Sequence, residues 1–134
     1  MTDPTNDRAA RSREGRRRVL LTLQDENVAP RFDLATEVLV AELEPDGTVR
    51  SQRTVVLPEA SAEALCHLVV ADGIDELICG AIEEEYHQYL TWKKVRIIDS
   101  VVARWEDALA RHRSNELAEG DVLFAPDGDP DGTE

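Results

Sequence analysis

The amino-acid sequence predicts one α/β domain, built on a mixed five-stranded sheet with three flanking helices. A nearly unbroken apolar run at residues 19–23 is typical of a strand that is covered on both faces. Between residues 75 and 100 the apolar period changes from strand to helix and back, as in a strand-helix-strand unit. The 134 residues provide one modest core, and they are too few for two domains.

The two ends of the chain lack apolar periodicity. Residues 1–15 combine proline, asparagine and many charges, and residues 120–134 alternate proline and glycine with aspartate. Such segments bury too little apolar surface to repay the entropy lost on ordering. We therefore expect a disordered basic tail over 1–15, a folded domain over 16–119 and a disordered acidic tail over 120–134.

The first half of the domain contains three predicted strands. After the strand at 19–23, residues 24–35 form a polar loop that Val28 and Phe32 can pin to the body, and loops of this length are often functional. Residues 36–43 and 48–57 flank Pro45-Asp46-Gly47, whose proline and glycine suit a tight reversal. We predict that these two strands pair as an antiparallel hairpin.

The second half alternates helices with strands. Ser61 can cap the first helix, which ends at Asp72-Gly73. A fourth strand at 76–80 leads into a helix whose apolar residues recur at i, i+4, i+7 and i+8, and a fifth strand follows at 95–98. Ser100 is a suitable cap for the last helix, which we expect to end near Leu117.

These elements predict where a ligand would lie. Local pairing and right-handed crossovers favour the strand order 3-2-1-4-5, with strand 2 antiparallel to the others. The order reverses between strands 1 and 4, so the loop at 25–35 and the Cys79-Gly80-Ala81 turn should flank a crevice. A helix begins beside Gly80, and its backbone N–H groups could receive an anion there.

Charge and cysteine content limit the classes of partner. The formal net charge of -13 opposes binding to nucleic acid or to anionic membranes. Cys66 and Cys79 have no CxxC spacing, no secretory apolar region opens the chain, and no apolar run approaches the roughly 18 residues of a membrane span. We expect a cytoplasmic protein with reduced thiols.

Two residues are candidate metal ligands. Cys79 ends a buried strand beside the crevice, where a thiolate could bind iron, although a lone cysteine is more often a core residue. Glu84-x-x-His87 has the i, i+3 spacing of iron-carboxylate sites. The alternative is a solvated acidic helix start that complements the helix dipole.

Catalysis has no specific support. Asp25, Asp33 and Asp99 could converge at the strand ends as in a two-metal phosphodiesterase, but the acidic body lacks a basic track for phosphates. The sequence contains no GxSxG, Walker A, GxGxxG or HExxH motif. We therefore expect a protein that is not an enzyme.

The sequence resembles the dinitrogenase iron-molybdenum cofactor biosynthesis family over residues 18–119. The resemblance lies in VAPRFDLATEVLVAEL, at 28–43, and in LICGAIEEEYHQYLTWKKVRIIDS, at 77–100. The first corresponds to the family's loop of a small residue, proline, a basic or imidazole residue and phenylalanine. The second corresponds to its glycine-containing turn. The resemblance implies a ribonuclease-H-like α/β fold and a role in binding, carrying or inserting an iron-sulfur (iron-molybdenum) cofactor precursor.

The resemblance and the predicted crevice together indicate a cofactor-binding site. Its residues would be Arg31, Cys79, Gly80, Ala81 and His87, with Cys79 and His87 as metal ligands. Arg31 stands where many members have histidine, and Ala81 where many have a second glycine, so Arg31 would hold an anionic cluster by charge and hydrogen bonds. The implied partners are nitrogenase cofactor-assembly proteins or apo-dinitrogenase, and a second copy in a homodimer. The alternatives are a cofactor-free interaction or regulatory module and a metal-dependent nuclease.

Overall fold

The computed structural model describes residues 15–123, which form a six-stranded sheet with helices on both faces. The strands are β1 (Arg17–Gln24), β2 (Asn27–Val28), β3 (Glu37–Leu43), β4 (Val49–Val56), β5 (Glu76–Ile78) and β6 (Arg96–Ile98). The helices are α1 (Ala62–Ala71), α2 (Glu84–Trp92) and α3 (Trp105–Arg113), and a 3-10 turn spans Phe32–Leu34. Most of the predicted tails, 1–15 and 120–134, lies outside the described residues. None of the helices within 15–123 has the length and apolar character that a bilayer crossing requires.

The sheet is mixed, as predicted. Its strands follow the order β4-β3-β1-β5-β6, and β2 pairs with β1 outside this path. β1 is parallel to β5 and antiparallel to β3, while β6 is parallel to β5. The predicted count of five strands was wrong by one. Asp25 adopts a left-handed φ of 56°, so the chain reverses after β1 and β2 pairs with it antiparallel.

The predicted hairpin is confirmed between β3 and β4. The N–H of Gly47 donates to the carbonyl of Glu44, and the N–H of Glu44 donates to the carbonyl of Thr48, both at 2.8 Å. Gly47 has a φ of 93°, a conformation that glycine adopts without a steric penalty. The turn chemistry of residues 45–47 therefore determines the pairing register.

Each face of the sheet has its own apolar core. Helices α1 and α2 cover one face, where Leu65 and Leu90 pack in the same core as Leu77. Helix α3 covers the other face, where Leu109 packs in the same core as Ile78. Leu77 and Ile78 serve opposite cores because consecutive strand residues point to opposite sides of a sheet.

The last helix differs from its prediction at both ends. It begins at Trp105 rather than after Ser100, and it ends at Arg113 rather than near Leu117. Ser100 has a φ of 61°, which no helix start accommodates, and its hydroxyl donates to Asp99 instead of capping. Asn115, also at a φ of 61°, turns the chain away after the helix.

A return segment follows α3. The N–H of Val102 donates to the carbonyl of Asp121 at 2.9 Å, and the N–H of Leu123 donates to the carbonyl of Val102 at 2.8 Å. Val102 and Val122 thus form an isolated parallel bridge. These bonds hold residues 118–123 near the carboxyl end of β6.

Candidate functional site

Two loops meet at the carboxyl edge of β1 and β5. The N–H of Ala81 donates to the carbonyl of Pro30, and the N–H of Phe32 donates to the carbonyl of Ala81, both at 2.8 Å. Arg31 and Ala81 therefore form a short parallel bridge. Phe32 is fully buried beneath the loop, as predicted from its apolar side chain. The two segments expected on either side of a crevice are in direct backbone contact.

Gly80 makes this close contact sterically feasible. A Cβ atom on Gly80 would lie 2.3 Å from the carbonyl oxygen of Pro30 and 2.4 Å from that of Ala29. Both atoms belong to the backbone, so a flexible side chain cannot move to make room. The carbonyl of Gly80 also accepts a hydrogen bond from the N–H of Ser100 at 2.9 Å. Glycine is thus required here for close packing of three segments.

Arg31 presents its guanidinium at this edge, with 53% of the side chain exposed. Asp33 binds it in a bidentate manner, through Nε to Oδ1 at 3.1 Å and Nη2 to Oδ2 at 2.7 Å. An exposed ion pair of this kind is worth at most about 1 kcal/mol. A more highly charged anion can therefore compete with Asp33 for Arg31.

Cys79 lies in the core. Its side chain is fully buried with Phe32 and Leu77. Burial, assisted by the charge of Asp99, raises the pKa of the Cys79 thiol far above its ordinary value. Because the thiolate is the form that binds metals, both effects disfavour Cys79 as a ligand and favour its alternative role as a core residue.

His87 lies in the first turn of α2, with 37% of its side chain exposed. Glu84, whose i, i+3 spacing from His87 suggested a joint site, accepts a hydrogen bond from Gln88 at 2.8 Å. The imidazole faces Asp99, with Nε2 at 4.0 Å from Oδ1. Glu119 completes the group, and one ligand atom from each of the three side chains lies within 4.8 Å of the others.

Asp25, Asp33 and Asp99, whose convergence a two-metal site would require, do not form a cluster within the part of the chain that the structure describes. Within residues 15–123, the group formed by His87, Asp99 and Glu119 is the only cluster of three potential ligands. Asp33 is bound to Arg31, and Asp25 occupies the turn between β1 and β2. Sequence reasoning missed Glu119 because it follows the last helix in a polar segment without a recognisable motif.

A second surface lies between α1 and α2. A cleft of about 420 Å³ is lined by Glu63, Cys66, His67, Glu85, Tyr86 and Tyr89. Burial, assisted by the charge of Glu63, raises the pKa of the Cys66 thiol to about 11, so this thiol is neutral at pH 7. Beside the cleft, Trp92 is 72% exposed and Lys93 Nζ lies 4.8 Å from its ring centre.

Comparison with known proteins relates the fold to three named structures. Neither a family model nor a curated protein sequence matches the chain. A candidate dinitrogenase from Methanocaldococcus jannaschii is similar with a TM-score of 0.63 and 18% identity, over 76% of this chain and 92% of that one. The apo form of the orange protein from Desulfovibrio gigas gives 0.61 and 15%, over 77% and 92%. A candidate NifB protein from Thermotoga gives 0.60 and 18%, over 84% and 99%. At these identities the similarity shows that the chain shares the fold of these proteins.

Proposed function

We propose that this protein binds or carries an iron-sulfur precursor of the nitrogenase cofactor. The observation that carries the proposal is the bridge between Arg31 and Ala81, since it fixes an exposed guanidinium beside the turn that leads to His87. The cargo would contact Arg31, Gly80, Ala81 and His87. The proposed role is carriage without catalysis.

The chemistry of these groups suits a cargo that must be released. Arg31 offers charge-assisted donors to an anionic cluster, but Asp33 competes for the same donors. His87 offers one partly exposed imidazole for inner-sphere contact. Cys79 would need to lose its proton inside an apolar core before it could add a second ligand. Because the contacts are few and Asp33 competes for one of them, we expect the cargo to be released readily rather than held permanently.

The names of the structural relatives support the same class of role. One is described as a candidate dinitrogenase and one as a candidate NifB protein, and the orange protein was solved in its apo form. Our proposal includes the ribonuclease-H-like class of fold, partners among cofactor-assembly proteins or apo-dinitrogenase, and assembly as a homodimer.

Anaerobic titration with an iron-sulfur cofactor precursor tests the proposal. Arg31→Ala should weaken binding, and the difference from wild type should shrink at high salt because the variant lacks a charge partner. His87→Ala should change the absorption or EPR spectrum of the bound cluster as well as its affinity. Arg50→Ala is a matched control, because Arg50 is also exposed and paired with a carboxylate, Glu44, on a distant edge. Unchanged affinity and spectra in folded Arg31→Ala and His87→Ala would refute this site.

A cofactor-free interaction module is the second candidate. It is favoured by the exposed aromatic surface of α2, where Tyr89 and Trp92 are stacked at a tilt and 6.4 Å apart. Exposed aromatic residues are common anchors of protein interfaces. If wild-type protein fails to bind a cluster while Trp92→Ala weakens its association with purified apo-dinitrogenase at least about tenfold, this second function replaces the first.

A further inference from the structure

We propose that His87, Asp99 and Glu119 form a mononuclear site for a divalent transition-metal ion. The proposal concerns a single ion and does not require the cluster cargo described above. Its three side chains come from separate segments, namely the first turn of α2, the residue after β6 and the turn that follows α3. Their ligand atoms lie within 4.8 Å of one another.

The distances fit an ion better than a direct contact. At 4.0 Å, His87 Nε2 and Asp99 Oδ1 are too far apart for a hydrogen bond. Two ligand atoms bound to Zn²⁺ at about 2.1 Å lie about 3.4 Å apart in tetrahedral geometry and about 4.2 Å apart when opposite. Glu119 is exposed and can reach the ion by side-chain rotation. Small side-chain movements are therefore enough to form the site.

Backbone and side-chain bonds hold the ligands near each other. The Ser100 hydroxyl donates to Asp99 Oδ2 at 3.0 Å, which leaves Oδ1 directed toward His87. The N–H of Gly120 donates to the carbonyl of Asp99 at 2.9 Å, which brings the Glu119 turn against the end of β6. Such outer contacts orient metal ligands and strengthen binding.

The local charge also favours a cation. Over residues 15–123, no lysine or arginine forms an ion pair with Asp99 or Glu119. Among these residues the two carboxylates therefore lie close together without a lysine or arginine partner, and a divalent ion would relieve their repulsion.

The ligand types define the class of ion. One imidazole nitrogen and two carboxylate oxygens suit Zn²⁺, Co²⁺ or Fe²⁺, whereas Ca²⁺ takes oxygen ligands and more of them. Three protein ligands leave at least one coordination position for water or an external ligand. The predicted site therefore holds an exchangeable ion with an open position.

Titration of the full-length protein with Co²⁺ alone, followed by visible absorption and Zn²⁺ competition, tests the site. Wild-type protein should bind one Co²⁺ per chain. His87→Gln, Asp99→Asn and Glu119→Gln should each weaken binding about tenfold or more. Two exposed residues outside the cluster provide controls, since His67→Gln and Glu116→Gln should change affinity by less than about twofold.

Glu119→Gln is the decisive variant, because an exposed side chain can be replaced without loss of the fold. Unchanged Co²⁺ affinity in this variant, or loss of binding in His67→Gln instead, would overturn the proposal. Arg31→Ala separates the two proposals, since it should weaken cluster binding and leave Co²⁺ binding unchanged. Co²⁺ binding without cluster binding would refute the carrier function and retain the ion site.

Discussion

Replacing His112 with alanine is expected to lower the free energy of unfolding by about 3 kcal/mol. His112 is 2% exposed on α3, and its Nε2–H donates to Glu76 Oε1 at 2.6 Å. Glu76 begins β5 and is also buried. This contact joins the helix to the centre of the sheet, so its removal affects both.

The magnitude follows from the partners that remain. Without His112 the buried Glu76 carboxylate loses its 2.6 Å hydrogen-bond donor, and loss of the partner of a buried charge costs about 3–5 kcal/mol. Arg96 at 3.5 Å and Arg17 at 3.8 Å from Glu76 Oε2 would offset part of this cost. They are only partial substitutes, since both side chains are in contact with solvent. The lower end of the range, about 3 kcal/mol, should lower the melting temperature by about 12 °C or more.

The pair also predicts how stability depends on pH. Burial raises the pKa of Glu76, but the hydrogen bond and charge of His112, with the charges of Arg17 and Arg96, outweigh burial and lower it overall. A carboxylate whose pKa is lowered on folding stabilises the protein above its unfolded pKa, and this contribution is lost as pH falls through the folded pKa. Glu76→Gln should therefore reduce the loss of stability on acidification.

Urea denaturation of a double-mutant cycle provides the measurement. The single variants Glu76→Gln and His112→Ala should show a coupling of at least about 1 kcal/mol in the double variant. Arg111→Ala is the control on the same helix, where an exposed side chain should change stability by less than about 0.5 kcal/mol. Additive effects within about 0.5 kcal/mol, or a His112→Ala variant as stable as wild type, would refute this account.

Two further predictions concern the backbone. Gly80→Ala should lower the free energy of unfolding, measured by urea denaturation, by about 2–3 kcal/mol, because its Cβ would lie against the carbonyl oxygens of Pro30 and Ala29. The control is Ala81→Ser at the exposed neighbouring position, which should leave the free energy of unfolding nearly unchanged. A stable Gly80→Ala protein would contradict the close contact of these loops. Lys94, at the end of α2, has a φ of 73°, which glycine adopts more readily than lysine, so Lys94→Gly should raise the free energy of unfolding by about 0.5–1 kcal/mol. Lys93 has an ordinary φ of -80°, so Lys93→Gly should lower the free energy of unfolding. Thermal melts that rank these two lysine variants in the reverse order would contradict the assignment of strain to Lys94.

Local patterns in the sequence determined much of the fold. The hairpin follows from Pro45 and Gly47, whose backbone preferences act within a few residues. The central position of β1 follows from its continuous apolar run, and α1 begins after Ser61 because that side chain accepts from the N–H of Ala64. Each of these features depends only on residues that are close together in the sequence. They can therefore be predicted without knowledge of the tertiary contacts.

Tertiary contacts decided the details of the candidate site. The close packing of Gly80 depends on the carbonyls of a loop from another part of the chain, and no pattern around Gly80 contains that information. The sequence suggested Glu84, one turn away, as a possible partner of His87, whereas the fold also places Asp99 and Glu119 near its imidazole. Glu119 reaches it because Gly120 bonds to Asp99 after α3 has ended. Periodicity and capping report neighbours along the chain, whereas these ligands become neighbours only when the sheet and its return segment have assembled.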